Sequence, residues 1–136
     1  MEKAALNDRG GAQPAISPDG KTVAFFSGDE ISLLSIDGGQ VRKALSVPLT
    51  MTILPPDLVF RMPYFRWLSD SSGLIFVRQE RGGTSLWKIQ QNKSQPEKIS
   101  DFYGSELYFS LAPDGHTLAY GRSASEERDV VTINNW

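Results

Sequence analysis

One stretch limits the possible folds more than any other. Ile16-Ser17-Pro18-Asp19-Gly20-Lys21-Thr22-Val23-Ala24-Phe25-Phe26 returns, nearly copied, as Leu111-Ala112-Pro113-Asp114-Gly115-His116-Thr117-Leu118-Ala119-Tyr120-Gly121. In both copies a corner of turn-forming residues leads straight into an apolar run. Proline at the second position of a tight turn presets φ, aspartate bonds back to nearby backbone, and glycine accepts φ > 0. The run that follows, as in Val23 to Phe26, is apolar at successive positions, which suits a strand covered on both faces.

A degenerate third copy lies between them. Trp67-Leu68-Ser69-Asp70-Ser71-Ser72-Gly73-Leu74-Ile75-Phe76 keeps the aspartate and the apolar run but lacks the proline and moves the glycine. Asp70 follows Asp19 by 51 residues and precedes Asp114 by 44, the spacing of stacked repeat units. Each unit carries a further apolar segment: Ile31 to Ile36, Ser85 to Ile89 and Asp129 to Ile133. Two units add a fourth, Val41 to Leu45 and Glu97 to Ser100, after the turn formers Asp37-Gly38-Gly39 and Gln91-Asn92-Lys93. Repeated four-stranded sheets with both faces covered describe an all-β fold, the β-propeller, with three four-stranded antiparallel blades in this chain.

The organisation that follows is a single partial propeller domain over residues 1–136. Residues 1–10 supply the closing strand of a neighbouring blade, 11–45 form blade one, 46–63 a long inter-blade loop, 64–101 blade two and 102–136 blade three. The loop holds Pro48, Pro55, Pro56 and Pro63 among apolar residues, which fits either a cap on the core or a binding surface. The closing strand is inferred from Glu2-Lys3-Ala4-Ala5-Leu6-Asn7-Asp8, which resembles Glu97-Lys98-Ile99-Ser100-Asp101, while the third unit stops after its third strand.

Three blades fall short of the usual four to eight in a closed ring. An open blade face spans about 350 Å² and forgoes roughly 4 to 9 kcal/mol of apolar burial, comparable with the stability of a whole domain. Two arrangements answer this. Two chains can build a six-bladed ring, self-associating through the N-terminal strand and the open blade faces, or the chain is a piece of a longer propeller.

Composition narrows the partners. With 14 basic and 16 acidic residues the chain carries a net charge of -2, and no field that would gather a polyanion, so nucleic acid is not an expected partner. It has no cysteine, which excludes disulfides, thiolate metal sites and cysteine nucleophiles. The first residues lack the apolar core of a secretory signal, and no run of 18 apolar residues occurs, so no membrane insertion is expected.

With its Ser17-Pro18-Asp19-Gly20 corner, the Thr22-Val23-Ala24-Phe25-Phe26 strand, the Gly38-Gly39 turn and their returns, the chain resembles the TolB-like propellers built from Pro-Asp blade repeats, cousins in shape of the WD-type repeats. Its ending, Arg128-Asp129-Val130-Val131-Thr132-Ile133, is similar to the last strand of propellers at the C-terminus of bacterial membrane-linked serine/threonine kinases and transcriptional regulators. The resemblance implies half of a six-bladed ring and a role in protein interaction or ligand sensing without chemistry of its own. It implies an extracytoplasmic place where the parent is membrane-linked. Pro18, Asp19, Gly20, Asp70, Pro113, Asp114 and Gly115 are then structural turn residues.

Candidate chemistry is sparse. Gly20-Lys21-Thr22 matches the end of a phosphate-binding loop, but Ala15 stands where the pattern needs glycine, and a strand follows instead of a helix. His116, the single histidine, occupies the turn position of Lys21 and lacks a nucleophile motif. Glu126-Glu127-Arg128-Asp129 reads as a solvated loop between the second and third strands of unit three. Asn92-Lys93-Ser94 fits a glycosylation acceptor on a polar turn. Tyr64, Phe65, Trp67, Trp87, Tyr103, Tyr108 and Phe109 are aromatics expected to fill the seams between blades. No catalytic residue, cofactor or metal ligand is assigned. The competing reading is a piece of the gating propeller of a prolyl-oligopeptidase-like peptidase. A carbohydrate or polyuronate enzyme would need histidines converging with carboxylates, which one histidine supports poorly.

Overall fold

A computed structural model describes residues 11–27, 30–46, 65–80, 83–102, 109–124 and 127–136. Among these residues the chain is all β and contains no helix. The first sheet comprises β1 (Gly11–Ile16), β2 (Thr22–Ser27), β3 (Glu30–Ser35) and β4 (Arg42–Ser46) in that spatial order. The second comprises β5 (Phe65–Trp67), β6 (Gly73–Glu80), β7 (Gly83–Gln90) and β8 (Glu97–Phe102). The third comprises β9 (Phe109–Leu111), β10 (Thr117–Ala124) and β11 (Glu127–Asn134). Within each sheet consecutive strands pair antiparallel, so each sheet is a meander, the plan of a propeller blade.

The second blade explains why the apolar runs are continuous. Successive residues of a strand point to opposite faces, and Leu74, Ile75, Phe76 and Val77 are all buried, so this sheet is dry on both sides. Leu74 and Phe76 continue into a core shared with Ala24, Phe26, Ile31 and Leu33 of the first blade. Phe109 and Leu118 of the third blade belong to the same core. The first seam is fixed by two contacts: the Phe26 and Phe65 rings meet edge to face at 5.2 Å, and the Trp67 indole N–H donates to the Ala15 carbonyl at 2.9 Å. A register shift in β1 between Ala12 and Ala15 precedes that carbonyl.

The structure corrects the placement of one charge run. Glu127, Arg128 and Asp129 are not loop residues; they lie in β11, opposite Ala124, Ser123 and Arg122 of β10. The β10–β11 hairpin leaves only two residues between paired strands, as does the β6–β7 hairpin, where Glu80 faces Gly83. The ladder therefore runs further than its apolar part. Residues 1–10, the expected closing strand, lie outside the described residues. So does the inter-blade loop apart from Ser46, which is the last residue of β4.

Candidate functional site

The three repeated corners share one backbone plan. In the first, the Gly20 N–H donates to the Ser17 carbonyl at 2.8 Å and the Ser17 N–H to the Thr22 carbonyl at 2.8 Å. The second repeats these bonds from Ser71 to Leu68 (3.0 Å) and from Leu68 to Gly73 (2.9 Å). The third repeats them from Gly115 to Ala112 (3.1 Å) and from Ala112 to Thr117 (2.9 Å). A further bond ties each corner to the end of the blade's third strand: Ile36 to Lys21, Gln91 to Ser72 and Asn135 to His116. Gly20 and Gly115 take φ of 74° and 72°, and in the second corner Ser71 occupies the same place with φ of 62°. The glycine that the middle unit displaces has another duty. A Cβ on Gly73 would stand 2.1 Å from the Ile89 carbonyl oxygen, so β6 needs a bare backbone there to approach β7.

The corner carboxylates are engaged locally. Asp19 accepts from the Ser17 hydroxyl at 2.6 Å and from the Lys21 N–H at 3.1 Å. Asp70 accepts from the Ser72 N–H at 2.9 Å. Asp114 accepts from the His116 and Thr117 N–H groups at 2.8 and 3.0 Å and from the Thr117 hydroxyl at 3.0 Å. These donors hold the carboxyls below the ordinary aspartate range, led by the Ser17 hydroxyl for Asp19, the Ser72 side chain for Asp70 and the His116 amide for Asp114. Pro18 and Pro113 are exposed on the same corners, and His116 is exposed. Among the described residues no group of three or more His, Cys, Asp or Glu is placed to hold a metal ion.

Adjacent corners touch. The Asp19 N–H donates to the Ser71 hydroxyl at 3.0 Å, and a Cβ on Gly115 would lie 2.7 Å from Ser69 Oγ. The corners of all three blades thus line one rim.

A hollow lies elsewhere, in the seam between blades one and two. It encloses about 670 Å³. Leu33 forms part of one wall, and Leu74, Phe76 and Ile89 part of the other. Arg42, Lys43, Arg78 and Lys93 also line it. Lys43 pairs with Glu30 and Lys93 with Glu97, each at 2.6 Å. Arg42 reaches across the seam, its Nη2 donating to Gln91 Oε1 at 2.5 Å, while the Gln91 amide donates to the Ser71 carbonyl at 2.8 Å. The Arg78 guanidinium stands over the Trp87 ring at 5.3 Å, and the Trp87 indole donates to Ser85 Oγ at 2.8 Å.

This cleft is hidden in the sequence because its walls come from residues as far apart as Leu33 and Ile89, and only register shows which side chains share a face. Of the aromatics singled out above, Phe65, Trp67 and Phe109 are buried and Trp87 is half-buried. Tyr64, Tyr103 and Tyr108 lie outside the described residues. Asn92 is exposed on the β7–β8 turn and also lines the cleft.

Among solved structures, a TolB-type protein from Agrobacterium tumefaciens aligns over 89% of this chain and 41% of its own, at 18% identity and a TM-score of 0.65. An oligogalacturonate lyase in complex with manganese aligns over 84% and 30%, at 16% identity and a TM-score of 0.60. TolB from Acinetobacter baumannii aligns over 89% and 27%, at 17% identity and a TM-score of 0.54. The class is that of a partial β-propeller with TolB-like architecture, and at these identities the likeness is one of fold. The chain spans less than half the length of each of these proteins. No protein-family model and no curated protein matches it. Among the described residues no helix is long and apolar enough to cross a membrane.

Proposed function

We propose that the chain is a non-catalytic propeller module for protein interaction or ligand sensing, within or derived from a larger bacterial regulator. The observation that carries this reading is the state of Asp19, Asp70 and Asp114. Each is satisfied by amides and hydroxyls of its own corner and held ionised by them, which suits a structural brace and not a proton-transferring group. Pro18, Gly20, Pro113 and Gly115 serve the same corners. The lyase among the structural neighbours shows that the fold can carry chemistry, so the decisive experiment is functional. The complete reading frame around these residues is expressed and assayed for peptide and oligouronide cleavage. The reading expects no turnover, and a kinase or DNA-binding domain in the flanking sequence. Turnover that disappears with Asp114→Asn or His116→Ala overturns it, and an adjoining hydrolase domain favours a peptidase gate instead.

Self-association belongs to the same proposal. The third sheet has three strands among the described residues where its neighbours have four, and Val130 on its outer strand β11 is 79% exposed. An edge strand of this kind is a template for another strand, supplied by the N-terminal segment of a second copy or of a neighbouring blade. A place outside the cytoplasm follows if the parent is membrane-linked.

A further inference from the structure

We propose that the face of blade three turned away from blade two is a docking surface for a second copy of this chain, which covers it with the face of its own blade one. The proposal rests on the chain's being a self-associating interaction module, and it names the two surfaces that meet and the residues that carry the contact.

The repeat supplies an internal standard. Counted from the corner aspartates, Ala24, Phe26 and the opposed Ile31 of blade one correspond to Ile75, Val77 and Leu86 in blade two and to Ala119, Gly121 and Val130 in blade three. In each trio the third residue is directly opposite the second across the ladder, so all three share a face. In blades one and two these positions are 0 to 7% exposed, covered by the blade that follows. The Phe26 ring meets Phe65 of blade two, and Lys88, opposite Ile75, stands over the ring of Trp136, which follows the last strand of blade three. In blade three the same positions are open. Val130 is 79% exposed, and a hollow of about 250 Å³ lies over Ser110, Ala119 and Gly121.

The covering face repeats as well. Trp67 and Leu74, with Ile89 opposite Leu74, cover blade one, the Trp67 indole reaching the Ala15 carbonyl. Their counterparts are Leu111, Leu118 and Ile133 in blade three, and Ile16, Val23 and Leu34 in blade one. The blade-one set is open at its corner end: Ile16 is 62% exposed, Ile36 is 48% exposed, and Val23 and Leu34 are half-buried, while Phe25 further along is covered. One chain thus leaves one covering face and one uncovered face, on blades that blade two separates. They are complementary, bulky residues on the first and small ones on the second. Ile16 of a second copy takes the place of Trp67, against Ser110 and Ala119, the counterparts of Ala15 and Ala24. Made twice, the contact closes a symmetric pair. Four blade faces of up to about 350 Å² each bring the buried surface to at most about 1,400 Å², the size of a standard stable interface.

The 136-residue chain has no cysteine, so introduced thiols report the contact. Ile16→Cys and Ser110→Cys, both at exposed positions, are mixed at micromolar concentration and treated with a bis-maleimide that spans the about 10 Å between packed sheets. A covalent dimer is expected from the mixture and from neither variant alone. In sedimentation velocity, Ile16→Lys should weaken self-association at least about tenfold, the value of one apolar side chain leaving a seam, with circular dichroism unchanged. Ile16→Cys linking to itself as well as to Ser110→Cys, unlinked thiols in a mixture that sediments as associated, or undiminished association of Ile16→Lys overturns this seam and leaves pairing through β11 standing. A chain that stays monomeric overturns the seam and self-association together, and leaves the non-catalytic reading untouched.

Discussion

The hydroxyl of Ser71 accepts a hydrogen bond from the backbone N–H of Asp19 at 3.0 Å, so the corner of the second blade satisfies the corner of the first. Ser71 does this from a left-handed backbone, φ 62°, where its counterparts are Gly20 and Gly115. Two effects oppose each other at this position. Glycine would relieve a conformational cost of about 1 kcal/mol, whereas losing the hydroxyl leaves a part-buried N–H without its partner, at about 1 to 3 kcal/mol. Ser71→Ala should therefore destabilise more than Ser71→Gly, by about 1 kcal/mol in urea unfolding. The reverse order would show that the hydroxyl and the backbone geometry are not separable in this way.

Gly73→Ala should be the most damaging single-methyl change among the glycines of the corners. Its added carbon meets backbone, the Ile89 oxygen at 2.1 Å and the Gln90 Cα at 2.8 Å, which no rotamer can relieve. A loss above about 2 kcal/mol is expected from such overpacking. At Gly20 the added carbon meets open space, so alanine there costs only the left-handed conformation, about 1 kcal/mol. Denaturant midpoints that place Gly20→Ala below Gly73→Ala would contradict the tight β6–β7 approach.

The corner aspartates set a pH dependence. Their folded-state pKa values are lowered, so the unfolded chain binds protons more readily. Their contribution to stability is present above the unfolded aspartate pKa, near 3.9, and is lost as pH falls through the lower folded values. The thermal midpoint should be level above about pH 5 and decline below about pH 4. Asp114→Asn should flatten part of that decline. A midpoint that rises on acidification is incompatible with braced, ionised corners.

Val130→Lys places a charge on the exposed outer strand of the third blade. Charged residues blunt sheet edges. Sedimentation velocity should find the parent chain self-associated at micromolar concentration and the variant shifted to smaller species, with circular dichroism unchanged. A parent chain that stays monomeric and does not aggregate removes the pairing role of β11.

Where a feature depends on neighbours in sequence, it was legible. The Pro18-Asp19-Gly20 and Pro113-Asp114-Gly115 corners announce themselves because turn chemistry is local, and the strand after each is marked by an unbroken apolar run that only a doubly covered sheet can use. Where a feature depends on contact across the ladder or the seam, it was hidden. Nothing in Ser71 as a letter signals a left-handed backbone; it takes that role because its corner is built like the other two. Gly73 looks like a displaced turn residue until the Ile89 carbonyl is seen beside it. Charge misled at Glu127 to Asp129, since a two-residue hairpin extends the ladder regardless of polarity. The cleft required knowing that Arg42 sits opposite Leu33 and that Arg78 shares a face with Phe76.

At Gly115 an added Cβ would lie 2.7 Å from Ser69 Oγ, which bears on how closely the second and third blades approach. Corners stacked on one rim act as shims between wedges: their thickness fixes the angle by which each blade is turned from the last. Gly115 keeps its shim as thin as a backbone can be. A side chain there would have to turn the Ser69 hydroxyl aside before the second and third corners could keep their spacing.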